Sequence, residues 1–285
     1  MFKSLLIVLL LTLAACGDSG MITNKPSITF EVNTPVTNAF SASSVDFQKD
    51  CMLRLCMYEF SLAFSEPLRA NLEVLSTTGA LKFNDVIRTT LITFNGDNID
   101  KANVTLGGVQ PNSQHSEAIR YFYQQTEKLL AEGWVRYIFP NEARLSGAVA
   151  KEFEDPESIL NHPVSTGPWA DPNLRLNRNQ WLALPIFSSW YFYKDGVYLL
   201  LRVQRENSAK SPNETGSYLF TFTFESEAEF YKGFVENKLR EDWKQLLPAE
   251  LKRMAQERAQ TEARLKKMGI AIDEDYQDPP IKALE

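Results

Sequence analysis

From Ser217 to Phe224 the chain reads Ser-Tyr-Leu-Phe-Thr-Phe-Thr-Phe. Successive side chains of a strand point to opposite faces, so Tyr218, Phe220, Phe222 and Phe224 share one side, and Leu219, Thr221 and Thr223 the other. Such a run calls for a sheet with one buried face. Hydrophobic residues make up 44% of the 285, with 18 Phe, 10 Tyr and 5 Trp, enough to build the core that receives those rings.

Other segments repeat the signal. Ser27 to Val32 alternates. In the apolar stretch from Leu53 to Phe64, residues Cys56, Tyr58, Phe60, Leu62 and Phe64 fall on one face. Leu72 to Leu75 leads through a Thr-Thr-Gly turn at 77–79 towards a strand from Val86 to Phe94, closed by Asn95-Gly96-Asp97. Trp134 to Phe139, ended by Pro140, is a further expected strand, as is Trp181 to Ile186. Trp190 to Tyr193 and Val197 to Val203 flank Lys194-Asp195-Gly196, a hairpin signal.

Helical spacing takes over in three places. From Ser113 or Ser116 to Glu132, residues Ile119, Phe122, Thr126, Leu129 and Leu130 form a stripe that Gly133 can end. Ser226 with Glu229 three residues on is a capping-box pattern, followed by Phe230, Phe234, Leu239 and Trp243. Pro248 suits a helix's first position, and Ala249 to Met268 alternates Glu with Lys and Arg around a thin apolar stripe, a long solvated helix. The class is therefore α+β, antiparallel sheets with packed helices.

The first two helices also resemble each other. Ser116-Glu117-Ala118, Tyr121 and Lys128-Leu129 match Ser226-Glu227-Ala228, Tyr231 and Lys238-Leu239 at a constant offset of 110 residues. The expectation is one β-β-β-α unit used twice, with a first lobe at 27–150, a Pro-rich connection at 151–178, a second lobe at 179–248, and a C-terminal helix with a loose acidic tail at 249–285. A single α+β domain with two similar helices is the alternative.

The N-terminus supplies an address. Lys3 precedes an apolar run from Leu5 to Leu13, interrupted by Thr12 alone, and Leu13-Ala14-Ala15-Cys16 follows. This ending resembles the lipobox of bacterial lipoproteins. The resemblance implies a signal peptide at 1–15, a diacylglycerol and acyl (palmitate-type) anchor on Cys16, and a small, polar, flexible tether at 16–26. Gly17 after the cysteine, where aspartate would favour inner-membrane retention in the enterobacterial sorting rule, implies the periplasmic side of the outer membrane, with the inner membrane as the alternative. Loss of Lys3 leaves 29 basic against 36 acidic residues, a mature charge of −7. That balance argues against a nucleic-acid partner, which needs a basic face to displace counterions.

Chemistry is sparse. Gly17-Asp18-Ser19-Gly20 has the pattern of a protease nucleophile, but no folded barrel precedes it. His115 and His162 lack a second ligand at metal-binding spacing, and both read as surface or capping residues. No metal, no cofactor and no catalytic residue is expected. Glu59 is the acid most suited to partial burial, explained by a strand edge or a salt bridge. Cys51 and Cys56 form a disulfide only if a turn intervenes, because an extended strand separates them by about 16 Å and the bond needs Cα atoms within about 7 Å; the alternative is two buried thiols. The block Trp190, Tyr191, Phe192 and Tyr193 is the candidate interface, with alternation sending two rings into the core and two outwards.

This layout of lipobox, tether and aromatic-rich α+β body resembles the lipoprotein immunity proteins that neutralise type VI secretion effectors such as lipases. The resemblance implies a binding protein, not an enzyme, held by lipid at the membrane, with a protein partner. An envelope assembly or structural lipoprotein docked onto a larger complex is the alternative.

Overall fold

The computed structural model describes residues 25–284. The signal, the lipobox with Cys16 and most of the tether lie outside the described residues. In chain order, β1 (Ser27–Glu31) leads into α1 (Val36–Ala42), and β2 (Gln48–Met52) and β3 (Leu55–Ser61) make a hairpin. β4 (Ala70–Ser76) turns into the long β5 (Gly79–Phe94), followed by β6 (Lys101–Leu106), the short β7 (Ser113–Gln114) and α2 (His115–Ala131). Next come β8 (Val135–Arg136), the small pair β9 (Ser158–Ile159) and β10 (His162–Pro163), and α3 (Arg178–Ala183). β11 (Phe187–Lys194), β12 (Val197–Asn207), β13 (Thr215–Ser226), α4 (Glu227–Lys232) and α5 (Trp243–Lys267) complete the order.

Eleven strands form one sheet in the order β1-β4-β5-β6-β13-β12-β11-β8, with β3 beside the far half of β5, β2 on β3, and β7 on β13. Within it only β1 and β4 run parallel. The segments expected as two lobes share this sheet: β1 to β6 make one half and β11 to β13 the other, joined where β6 pairs with β13 from Leu106↔Phe220 to Lys101↔Glu225, while β7 and β8 of the first segment pair with β13 and β11. Both β-β-β-α runs are present in order, but their helices lie on opposite faces. Tyr121 of α2 packs on Phe220, whereas Phe230 of α4 stacks on Tyr198, which points the other way. A two-fold relation across the seam would place both helices on one face.

The inner face is built by the alternation that sequence reading identified. Phe220, Phe222 and Phe224 are fully buried, opposite Leu106, Val104 and Ala102 on one side and Val203, Leu201 and Leu199 on the other. Phe83 meets Phe222 at 4.8 Å between ring centroids, and Phe122 of α2 meets Trp190 at 4.3 Å. Each such ring stabilises the fold by about 1.5–3 kcal/mol through area removed from water.

Three local expectations are corrected. Residues 181–183, expected in a strand, belong to α3. Asn177 accepts from the Gln180 amide while the Gln180 side chain accepts from Asn177 N–H, a complete capping box that starts a helix and stacks Trp181 on Trp190. The helix opened by Ser226, which does cap by accepting from Glu229 N, stops at Gly233. Glycine is costly inside a helix, and the break lets Phe230, Tyr231 and Phe234 fold back onto Tyr137 and Tyr198. The long helix begins at Trp243, before Pro248, because Trp243 and Leu247 are buried in that same aromatic cluster.

The expected open connection and loose tail are also packed. Arg136 is partly buried and donates to the carbonyls of Leu145, Thr166 and Gly167 and to Asp171. Glu142 accepts from the amides of Ser165 and Thr166 and from the Thr166 hydroxyl; burial pushes its carboxyl up, although these bonds favour the charged form. From α5, Arg258 donates to the carbonyls of Glu142 and Phe139 and pairs with Asp278 at 2.6 Å, and Glu262 receives Arg144. Tyr276 accepts from Ile138 N, and Ala283 N donates to the buried Glu227 carboxylate at 2.6 Å. The tail is a strap over the aromatic cluster.

Candidate interaction face

The outer face of the sheet is the inverse of the inner one. Register carries four rows across six strands from β11 to β3. The first is Tyr193, Tyr198, Glu225, Lys101, Ile92 and Met57. The second is Tyr191, Leu200, Thr223, Asn103, Thr90 and Glu59, the third Ser189, Arg202, Thr221, Thr105, Arg88 and Ser61. A fourth, shorter row holds Phe187, Gln204 and Leu219.

α4 and the tail cover the first row at Tyr198, and no described helix covers the centre of the second and third, where Thr221, Thr223, Asn103 and Thr105 stay partly exposed. Polar groups there are mostly paired along the sheet: the Thr223 hydroxyl donates to Asn103 at 2.9 Å, Lys101 bridges Glu225 at 2.7 Å, and Arg88 bridges Glu59 at 2.5 Å. The salt bridge accounts for Glu59 as the sequence expects. Arg202 is exposed and makes no salt bridge among the described residues.

At the β11 end this polar field turns apolar. Phe187 is 51% exposed, Ile186 57% and Leu219 37%. Beside them a cleft of about 260 Å³ is lined by Trp169, Leu184, Phe187, Ser189, Tyr191 and Arg202. Burial pushes the Tyr191 phenol up, and the positive charge of Arg202 pulls the other way. Tyr191 therefore presents a neutral hydroxyl at the cleft beside an unpaired guanidinium, in a setting rich in the aromatic and arginine groups that dominate binding energy.

The sequence-selected residues divide as follows. Trp190 and Phe192 are buried in the inner core, and Tyr191 and Tyr193 point to the outer side. Tyr193 packs on Tyr198, and Tyr191 lines the cleft together with the buried Trp190. Cys51 and Cys56 are bonded across the β2–β3 hairpin, directly opposite in register with Cα atoms 4.1 Å apart, and the intervening turn supplies the closure. His162 is exposed, but His115 is fully buried, correcting its surface reading: its ring bonds Tyr218 and the Pro212 carbonyl. Among the described residues no group of three or more His, Cys, Asp or Glu is arranged to hold a metal ion. Phe187, Leu219 and Arg202 were missed, since their import lies in register.

No family model, no curated protein and no solved structure matches the chain. Among the described residues no helix is long and apolar enough to cross a membrane.

Proposed function

We propose that the chain is a lipid-anchored periplasmic binding protein of the immunity type, which captures a toxic type VI effector such as a lipase on the outer sheet face. The observation that carries this reading is the cleft end of that face, where Phe187, Leu219 and Arg202 are exposed and the partly buried Tyr191 lines the cleft beside Arg202. Large rings and a desolvatable arginine at a rigid sheet form the centre of an interface, and the Thr and Asn rows form its polar rim. The face carries Arg88, Lys101 and Arg202 against Glu59 and Glu225, so the chain's acidic excess lies elsewhere. Binding here requires no ordering of loops, because the strands are already fixed by their ladders. A docking role in a larger envelope assembly would use the same surface.

The test is co-expression with the product of the neighbouring gene. Protection of the cells and a stable complex are expected. No protection and no complex, with both proteins present, would remove the immunity reading, and recovery of an envelope assembly instead would select the docking role.

A further inference from the structure

Leu53 is 100% exposed and Met52 73%, at the turn that joins β2 to β3. β2 is exposed along its whole length as an edge strand, while β3 pairs with β5 from Leu55↔Phe94 to Ser61↔Arg88, so the 53–54 turn lies at the end of the sheet. This tip is held firmly: the Cys51–Cys56 bond closes it, and Asn95 N donates to the Arg54 carbonyl at 2.9 Å. Leu53 adopts φ +54°, a left-handed conformation that glycine or asparagine reaches more easily than leucine. The leucine thus makes the turn harder to form and contributes nothing to the core. Its side chain has its use outside the fold.

We infer that this tip is a second membrane contact, inserting Met52 and Leu53 into the surface of the bilayer that holds the Cys16 lipid; the inference rests on the lipoprotein reading above. Two arguments choose lipid over protein. The tip offers flexible apolar side chains with Lys49 and Arg54 beside them against Asp50, all exposed, which suits acyl chains below and lipid phosphates above. Reach is the second. Ser27 lies opposite Asn71, level with residues 83–86 of β5, whereas the tip lies beyond Phe94. The offset is ten or eleven residues, about 35 Å, and the chain before Ser27 leaves towards the tip because β1 runs away from it. Eleven residue steps from Cys16 to Ser27 span at most about 38 Å. A nearly extended tether therefore lets the tip reach the bilayer that holds the lipid, and the anchor raises the local concentration so that a two-residue contact can persist. The strands then stand on the membrane and the outer face looks along its surface.

The experiment separates tip from anchor. The mature chain with Cys16→Ser behind an N-terminal hexahistidine is held on vesicles of phosphatidylcholine, phosphatidylglycerol and a nickel-chelating lipid, with Leu53→Trp as reporter. Against the same protein without the reporter, the added indole emission should shift to shorter wavelength and be quenched by brominated acyl chains, and Met52→Asp should abolish both. An unshifted, unquenched reporter overturns the contact, as does a shift that appears only when a protein partner is added. Palmitate labelling of the wild type, absent in Cys16→Ser, reads the anchor separately: without label the anchoring reading fails, whatever the reporter shows.

Discussion

The two faces of β13 differ by one residue in register and by everything in environment. Phe220, Phe222 and Phe224 are fully buried between α2 and neighbouring strands, while Leu219, Thr221 and Thr223 look outwards where no described helix covers them. Antiparallel sheets tolerate one solvated face, so the fold depends on the first set and leaves the second free. That separation is what allows a surface to be altered without loss of the structure that displays it.

The comparison is sharpest when one residue from each face is changed. Phe222→Ala should lower unfolding free energy by about 3–5 kcal/mol, through lost transfer energy and the cavity left against Phe83 and Leu201, whereas Thr223→Ala next to it should stay within about 0.5 kcal/mol. Chemical denaturation measures both. Comparable losses would mean that the outer face is part of the core.

A second change tests the free face for function. The double variant Phe187→Asp, Arg202→Glu should weaken the effector complex by about 2–4 kcal/mol in calorimetry and leave the denaturation midpoint of the free protein in place. A fall in midpoint matching the fall in affinity would assign these residues to the fold.

A smaller effect is expected where charge does the work of rings. Arg144 donates to the Glu262 carboxylate through both its backbone and its guanidinium. Burial works against the charged form, but these bonds and the charges of Arg144 and Arg258 bring the carboxyl below its ordinary range. A depressed folded pKa contributes stability that is present above the unfolded value near 4.5 and is lost as pH falls through the folded one. Glu262→Gln should therefore cost about 1–2 kcal/mol at neutral pH, with the gap to wild type closing below about pH 4. A gap independent of pH would show that packing, not charge, sets the contribution of Glu262.

How far these features were legible follows the same division. The strands of β12 and β13, the Asp195-Gly196 turn and α2 were readable because each is a local pattern. Asp195 and Gly196 both take positive φ, as that dipeptide in a two-residue hairpin requires. α3 was also written locally, in Asn177 and Gln180, but the tryptophan-rich run beside it was the louder signal. The seam between β6 and β13 was not readable: it joins residues more than a hundred positions apart, and no side-chain alternation names its partner. The strap failed for a different reason. Tyr276, Asp278 and Ala283 look like an acidic tail in sequence and are fixed only by Ile138, Arg258 and Glu227 far upstream. Of the interaction face, Tyr191 was in the sequence-selected block; Phe187, Leu219 and Arg202 became neighbours only through register.

Side-chain footprinting of the complex with the proposed effector tests the central claim most directly. Hydroxyl-radical oxidation of Phe187, Tyr191 and Leu219 should slow markedly on complex formation, while Met268, exposed at the end of α5, keeps its free rate. A stable complex in which Phe187 and Leu219 oxidise as fast as in the free protein would contradict the account, because the partner would then sit on another surface.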